Sequence, residues 1–360
     1  MKNQIPEYGK SILSYLPKEP TPTDGVMDIT EALGLALSDT SLSLLTLPAG
    51  NYILRKPLCL RSHLFIDAHP HAEIDFCGLE GEEAIADLHI RGGYWRLMNQ
   101  DGSESAFEFS DANGLHLENM KLSIGTGIGL IVSGGSDVRI ERCSVLAHNT
   151  TDRVSTGLLL AGAVENLYAH TLSMRSCGMC VEISPNTVLT HSTFRTLDGE
   201  DCQYLVYAVH ASITDTRFEA FSGCAHTAAV HFESCSLDRL SLCELKLHNG
   251  FFEFMENTIG SVRIERFCRQ YDLDKNAATH PTLRVNGQAC ALFADLVSLD
   301  SILRTQKLCP AVKLSVSRRS TPLLQPDMPF VYAYRATLSP SDSYIMPSGS
   351  FDLVEMHSAK

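Results

Sequence analysis

Four side chains that can exchange or donate protons recur at nearly regular spacing in the second half of the chain. They are Glu182, Tyr207, His231 and Glu253, and the steps between them are 25, 24 and 22 residues. Hydrolysis of a glycosidic bond needs one protonated and one ionised carboxyl group, and imidazole or phenol groups can assist the proton transfers. The even spacing indicates that a repeated element aligns these side chains. We predict that they form the floor of an active site.

The predicted acid and base are carboxyl groups, because clustered carboxylates raise one another's pKa and so keep one of them protonated. The candidates for this pair are Glu182, Asp198 and Asp201. His231 and Tyr207 would orient the substrate or shuttle protons. Further residues are predicted to bind the substrate, with the two arginines holding the sugar: Asp152, Arg153, Arg175, Glu200, His226 and Glu253.

Most of these residues fall in short polar segments that we predict to be loops along one edge of the repeated element. The segments are residues 148–155, 175–178, 198–202 and 223–226. Loops on a rigid scaffold often carry binding residues. The acidic segment 198–201 is also typical of a solvated turn or a calcium site, and an outward Glu253 is also typical of an ordinary surface residue. The sequence predicts no cofactor and no metal ligands, with calcium as the alternative.

Short apolar runs repeat through residues 105–272 and account for the spacing. Most steps between their centres are 22 to 25 residues and one is 28; the centres are residues 108, 131, 159, 182, 207, 231 and 253. A repeat of this size indicates a solenoid. A propeller blade would need about 40 residues per repeat.

Alternating apolar and polar residues within each repeat predict strands rather than helices. Two or three short strands per turn of the repeat favour an all-β fold, a single-stranded right-handed parallel β-helix. Successive side chains of a strand point to opposite faces, so the middle residue of each run should point outward. Stacked coils would then align Glu108, Ile131 and Leu159 with the four residues named above. His191 and Asp215 fall at apolar positions of the second run of each repeat, and we favour a one-residue register slip over an inward polar pair.

The N-terminal region carries a second signal. Residues 24–33 read DGVMDITEAL, an N-capped helix start with an acidic first turn, and residues 45–54 read LTLPAGNYIL, a strand, a tight turn and a strand. This helix, followed by L-P-A-G-x-Y, resembles the N-terminal cap of the pectate-lyase-like right-handed parallel β-helix superfamily. That superfamily includes polygalacturonases, pectate lyases, inulin fructotransferases and phage tailspikes. The resemblance implies a solenoid closed by a capping helix and a carbohydrate-active protein.

The resemblance does not select one reaction. Polygalacturonases carry G-H-G and R-I-K elements, whereas this chain has no G-H-G and reads Arg263-Ile264-Glu265. The leading interpretation is an enzyme that cleaves or rearranges a glycosidic bond in an oligosaccharide or polysaccharide. The alternatives are a fructotransferase or difructose anhydride hydrolase, a polysaccharide lyase, and a non-catalytic sugar-binding β-helix like a tailspike. A homotrimer is compatible with each of them.

We predict three regions along the chain. Residues 1–57 form an N-terminal arm and capping helix, residues 58–300 form the parallel β-helix, and residues 301–360 form a C-terminal cover with an edge strand at 330–334. The 360 residues suit one solenoid domain, because solenoids grow by adding coils.

Charge and cysteine usage indicate the environment. The net charge of −13 argues against a nucleic-acid partner or an anionic membrane surface. The first residues lack the apolar core of a secretory leader, which predicts a cytoplasmic protein. Several of the twelve cysteines, such as Cys143 and Cys243, fall in the strand pattern and are predicted to be buried thiols. Cys177 and Cys180 form a CxxC, but no second pair gives zinc-site spacing.

Overall fold

The computed structural model describes residues 9–16, 25–98, 105–147 and 155–248, followed by seven strands between residues 252 and 346. The chain divides into two compact units, Met1–Gly178 (unit 1) and Met179–Lys360 (unit 2). Both are built from parallel strands in the right-handed β-helix fold that the sequence predicts. Within the described ranges, no helix has the length and apolar character needed to cross a membrane.

Unit 1 contains one α-helix, α1 (Thr30–Ser38), one 3-10 helix (Ile12–Tyr15) and seventeen strands among its described residues. The strands are β1 (Gly9–Ser11), β2 (Val26–Asp28), β3 (Leu44–Leu47), β4 (Gly50–Leu54), β5 (Leu58–Leu60), β6 (Phe65–Phe76), β7 (Leu79–Gly81), β8 (His89–Leu97), β9 (Ser105–Asn113), β10 (His116–Glu118), β11 (Lys121–Gly125), β12 (Ile128–Ser136), β13 (Arg139–Glu141), β14 (Ser144–Ala147), β15 (Thr156–Glu165), β16 (Tyr168–His170) and β17 (Leu172–Arg175).

Three strands make each central coil of unit 1, and equivalent strands stack in register. Thus β9, β10 and β11 form one coil, and β12, β13 and β14 form the next. Ile131 of β12 lies between Glu108 and Leu159 as a Cα partner of both, as predicted. Phe107 and Phe109, on either side of Glu108, are fully buried. The outward column of the sequence prediction is therefore confirmed in this unit.

The capping helix is also confirmed. The side chain of Asp28 accepts a hydrogen bond from the backbone N–H of Thr30, so it satisfies a donor of the first turn of α1. Leu33 and Leu37 are among the residues that α1 buries, whereas Leu35 on the other face is 59% exposed. An apolar face of this kind can cover the core at an open solenoid end.

The L-P-A-G-x-Y motif has a physical basis in the turn between β3 and β4. The phenol of Tyr52 donates a 2.9 Å hydrogen bond to the carbonyl of Pro48, which closes the turn. Leu47 and Tyr52 are 1% and 3% exposed. The motif thus joins two strands and buries an aromatic ring with its polar atom satisfied.

Large side chains stack from coil to coil in the core of unit 1. The rings of Phe76, Trp95 and Phe107 contact one another at centroid distances between 5.3 and 5.5 Å. All three are at most 1% exposed. Full burial of such a side chain contributes about 1.5–3 kcal/mol, so this stack is a major stabilising feature of the unit.

Turns between strands place residues in the left-handed region. The residue after β10, β13 and β16 is Asn119, Arg142 and Thr171, with φ of 55°, 53° and 57°. Asparagine tolerates this conformation, whereas a β-branched residue such as threonine is strained in it. The same left-handed turn therefore recurs in three coils, although its residues differ in how well they tolerate that backbone conformation.

Unit 2 contains sixteen strands among its described residues. They are β18 (Met179–Ile183), β19 (Val188–Thr190), β20 (Thr193–Phe194), β21 (Leu197–Val209), β22 (Ser212–Thr214), β23 (Arg217–Phe218), β24 (Phe221–Glu233), β25 (Ser236–Asp238), β26 (Leu240–His248), β27 (Phe252–Ile259), β28 (Val262–Gln270), β29 (Leu283–Ala289), β30 (Leu292–Leu296), β31 (Leu303–Lys307), β32 (Val312–Val316) and β33 (Tyr344–Met346).

The second strand of each coil in unit 2 supports the register slip that we favour. Leu189 and Ile213 are Cα partners and are fully buried. His191 and Asp215 lie in the turns that follow, with φ of 50° and 49°, and their side chains are 58% and 29% exposed. The two positions are thus turn positions, and apolar residues face the core as in the other coils.

The strands do not stop at the region boundaries predicted from the sequence. Strands β3 and β4 pair in parallel with β6, and β31 pairs in parallel with β29. Strands β32 and β33 pair in the antiparallel direction. The predicted edge strand at residues 330–334 lies outside the described residues.

Candidate active site in unit 2

Consecutive strands of unit 2 align the four residues that the sequence singles out. Glu182 of β18 pairs with Tyr207 of β21, Tyr207 with His231 of β24, and His231 with Glu253 of β27. Residues on either side of each are fully buried or nearly so. The predicted outward column is confirmed, and Arg284 of β29 is the next Cα partner after Glu253.

His231 and Glu253 form the central contact of this column. Nδ1 of His231 lies 2.8 Å from Oε2 of Glu253. When Glu253 is ionised it can only accept a hydrogen bond, and Nδ1 then carries the proton of this contact. Both residues are only 9% exposed although they occupy outward positions. A buried pair of this kind adds little net stability, which favours a functional role.

Two tyrosines pack around the imidazole. The ring of Tyr207 is stacked on His231, with centroids 5.0 Å apart and planes 8° from parallel. Tyr204 contacts the edge of His231 at 5.8 Å and also contacts Tyr207 at 5.0 Å. The rings hold the imidazole in one orientation and shield it from solvent.

Glu233 is a neighbour of His231 that the sequence analysis missed. Its Oε2 lies 3.4 Å from Nε2 of His231, and its side chain is 48% exposed. Glu233 follows His231 by two residues on the same strand, and residues two apart share a face. That periodicity is the signal that could have identified it. The imidazole therefore has a buried carboxylate on one nitrogen and an exposed carboxylate near the other.

Burial and the neighbouring carboxylates raise the pKa values of both tyrosines. Burial raises the pKa of Tyr207, and the neighbouring Tyr204, Glu233 and Glu182 raise this pKa further. Burial likewise raises the pKa of Tyr204, with an added contribution from the charge of Glu253. Both phenols therefore stay protonated and can donate hydrogen bonds to a bound hydroxyl or ether oxygen.

Asn257 anchors the strand that carries His231. Its Oδ1 accepts a 2.7 Å hydrogen bond from the backbone N–H of Cys235, and its Nδ2 donates a 2.8 Å hydrogen bond to the carbonyl of Phe232. Asn257 is only 2% exposed. The amide thus satisfies one buried donor and one buried acceptor in the turn just beyond His231.

The other predicted acid and base candidates make separate contacts. Asp198 accepts a 2.8 Å hydrogen bond from the hydroxyl of Ser222, and Asp201 lies 2.6 Å from Nε2 of His226. These four side chains are partly or well exposed, and Glu200 is exposed too.

The prediction of loops at residues 198–202 and 223–226 is wrong. They lie within the long strands β21 and β24, whose mutual pairing is interrupted by register shifts around Cys202. The apolar Leu197, Cys202 and Leu205 supply enough buried positions to keep the acidic segment in the ladder, and the shifts accommodate the extra residues.

The two arginines that were predicted to hold the sugar, Arg153 and Arg175, belong to unit 1. Arg175 is exposed at the C-terminal end of β17. Asp152 and Arg153 lie outside the described residues. In the described part of unit 2, no three His, Cys, Asp or Glu side chains bring their ligand atoms within reach of one metal ion.

The class that the structure defines is thus a parallel β-helix with a histidine–carboxylate cluster on an outer sheet face. Neither known protein-family models nor curated protein sequences match the chain. The solved structures that are similar to it include the Streptococcus pneumoniae surface adhesin PfbA, at 11% identity and a TM-score of 0.46 over 86% of this chain and 96% of that one.

Two of the other similar structures are enzymes. DFA-IIIase from Arthrobacter chlorophenolicus A6 is 11% identical, with a TM-score of 0.38 over 97% of this chain and 92% of that one. The A-module of the mannuronan C-5 epimerase AlgE4 from Azotobacter vinelandii is 13% identical, with a TM-score of 0.29 over 85% and 95%. At such identities the likeness concerns the fold alone.

Proposed function

We propose that the protein is a carbohydrate-active enzyme that cleaves or rearranges a glycosidic bond at the outer sheet face of unit 2. The observation that carries this proposal is the buried hydrogen bond between His231 and Glu253. Outward positions of a solenoid sheet can be filled by solvated residues at no cost, whereas burying a histidine and a carboxylate removes both from water. A protein can retain such a destabilising buried pair when the pair is preorganised to transfer protons in catalysis.

The roles follow from the contacts. Glu253 accepts the hydrogen bond from Nδ1 of His231 and fixes the ring, so Nε2 is the nitrogen that would exchange a proton with the substrate. Glu182 and Glu233 are the carboxylates that would assist at the sugar ring, since Glu182 is the Cα partner of Tyr207 and Oε2 of Glu233 lies 3.4 Å from Nε2 of His231. The protonated Tyr207 would donate a hydrogen bond to a sugar oxygen. In this proposal Asp198 and Asp201 bind substrate or stabilise the strand rather than transfer the proton.

An oligosaccharide panel tests the proposal. It should include neutral glycans, a fructan, a difructose anhydride and a polyuronate, because the products distinguish the reaction types. New reducing ends indicate hydrolysis, cyclic or transferred fructose products indicate a fructotransferase, and ultraviolet absorbance of an unsaturated uronic acid indicates a lyase. We expect turnover of at least one member by the wild-type chain.

Variants of His231 and Glu253 test whether these two residues form the active site. We expect His231→Gln and Glu253→Gln to lower kcat by about 100-fold or more, the usual effect of losing an acid–base group. The matched control is Asp215→Asn, which neutralises a partly exposed carboxylate paired with Arg239 in the same unit. Full activity in both His231 and Glu253 variants would refute the assignment. Sugar binding without any turnover would instead identify a non-catalytic sugar-binding protein.

A further inference from the structure

A second cluster of polar side chains lies on the outer face of unit 1. His89 of β8 and His116 of β10 are Cα partners on neighbouring coils. Their imidazole rings are stacked, with centroids 4.2 Å apart and planes 11° from parallel. Phe65 stacks on the other side of His89 at 4.3 Å. The two histidines are thus aligned in a column, with their Nε2 atoms on the same side.

Two carboxylates face these nitrogens. Oε2 of Glu118 lies 3.3 Å from Nε2 of His89, and Oε2 of Glu141 lies 3.5 Å from Nε2 of His116. Glu118 and Glu141 are themselves Cα partners. One ligand atom from each of His89, His116 and Glu118 falls within 4.8 Å of the other two. A single ion could reach all three once the two imidazole rings tilt out of their parallel stack.

The histidine nitrogens are not satisfied within the protein. Nε2 of His89 and Nε2 of His116 are shielded from solvent, and neither has a hydrogen-bond partner with acceptable geometry. The nearest carboxylate oxygens, at 3.3 and 3.5 Å, make no hydrogen bond of normal geometry with them. Buried polar atoms without a partner are rare in folded proteins, and binding of an ion is one way in which they are satisfied.

Neighbouring side chains orient the carboxylate of Glu118 toward the histidines. Arg142 and Asn119 both donate hydrogen bonds to Oε1 of Glu118, which leaves Oε2 directed at His89. Arg142 and Asn119 thus fix the orientation of this carboxylate.

We propose that His89, His116 and Glu118 bind a divalent transition-metal ion, with Glu141 as a fourth ligand. Two imidazole nitrogens with carboxylate oxygens suit zinc and related ions rather than calcium or magnesium, which prefer oxygen ligands alone. Ligand distances of about 2.0–2.1 Å require the rings to tilt toward each other. The ion would link three neighbouring coils through side chains of β8, β10 and β13. This site is independent of the proposed activity of unit 2.

Metal titration of the full chain, after removal of bound ions with a chelator, tests the proposal. We expect Zn²⁺ to bind with one equivalent by calorimetry and Co²⁺ to give visible absorption bands of a nitrogen and oxygen ligand set. His89→Gln, His116→Gln and Glu118→Gln should each weaken binding by about 100-fold or more. Arg142→Ala should weaken it by about 10-fold to 100-fold, because that side chain only orients Glu118.

The matched control is the exposed histidine pair of the same unit. His69 and His71 lie on β6 with ring centroids 5.4 Å apart, so His69→Gln and His71→Gln should leave binding unchanged. Circular dichroism checks that each variant is folded. Loss of binding in the control variants, unchanged binding in the cluster variants, no binding by the folded wild-type chain, or a sulfur charge-transfer band with Co²⁺ would each overturn the proposal.

Discussion

The ring of Tyr207 stacks on the imidazole of His231, one coil further along unit 2, with planes 8° from parallel. Equivalent positions of successive coils place these rings at stacking distance without any special local structure. The contact couples a half-buried aromatic ring to the proposed acid–base pair.

Replacing Tyr207 with leucine should remove the stacking contact. We expect Tyr207→Leu to lower the free energy of unfolding by about 0.5–1.5 kcal/mol more than Tyr207→Phe, because phenylalanine keeps the ring. Urea unfolding monitored by circular dichroism measures the difference. Equal losses in both variants would show that the hydroxyl, rather than the ring, stabilises the column.

The raised pKa of Tyr207 predicts a pH dependence of stability. The folded state holds the phenolic proton more tightly than the unfolded state, whose group titrates near 10.0. The contribution is therefore fully present below that pH and is lost as pH rises through the higher pKa of the folded state. Above pH 10 the wild-type chain should lose stability more steeply than Tyr207→Phe. Denaturant unfolding across this range measures both slopes, and parallel slopes would contradict the prediction.

Asn257 should be one of the most sensitive positions in unit 2. Asn257→Ala leaves the N–H of Cys235 and the carbonyl of Phe232 without their partner, and a buried unsatisfied group costs about 1–3 kcal/mol. We expect a loss of about 2–4 kcal/mol in the free energy of unfolding. Asn257→Asp keeps the acceptor for Cys235 but sets a buried carboxylate oxygen against the carbonyl of Phe232, so at neutral pH it should lose at least as much. Asn51→Ala, at an exposed position of β4, serves as the control and should change stability by about 0.5 kcal/mol or less.

A substitution at Thr171 should stabilise the protein, in contrast to the substitutions at Asn257. Its φ of 57° is unfavourable for a β-branched residue, whereas Asn119 occupies the equivalent turn two coils earlier. Thr171→Asn should therefore raise the free energy of unfolding by about 0.5–1 kcal/mol. Thr46→Asn, at a strand position of β3, should lower it because asparagine is depleted in strands. Denaturant midpoints compare the two, and a destabilised Thr171→Asn variant would show that the threonine makes a compensating contact.

Much of the fold could be predicted because the residue types at fixed positions of each repeat show which side chains face the core. An outward residue between two buried apolar residues, as at Glu108 or Tyr207, sets the register of each coil, and parallel stacking then aligns the outward residues. The capping helix could be predicted from Asp28 and the apolar face that follows it. Local patterns sufficed where alternation of side chains fixed the outcome.

The candidate site could be predicted only in part. The column of Glu182, Tyr207, His231 and Glu253 follows from the period, but the extension of β21 through the acidic segment does not. Register shifts around Cys202 absorb residues that look like a loop in the sequence. Glu233 follows from the same alternation along the strand, since residues two apart share a face, but no repeat from coil to coil marks its position.

The amino-acid sequence by itself determined the solenoid, the direction of its side chains and the order of residues along the outer column, because each depends on a period along the chain. Only the tertiary structure decided which groups meet. Glu253 rather than Glu182 holds His231, and His89 meets Glu118 across a coil. Such contacts depend on side-chain rotamers and on distances of a few ångströms between residues more than twenty positions apart, which no period along the chain specifies.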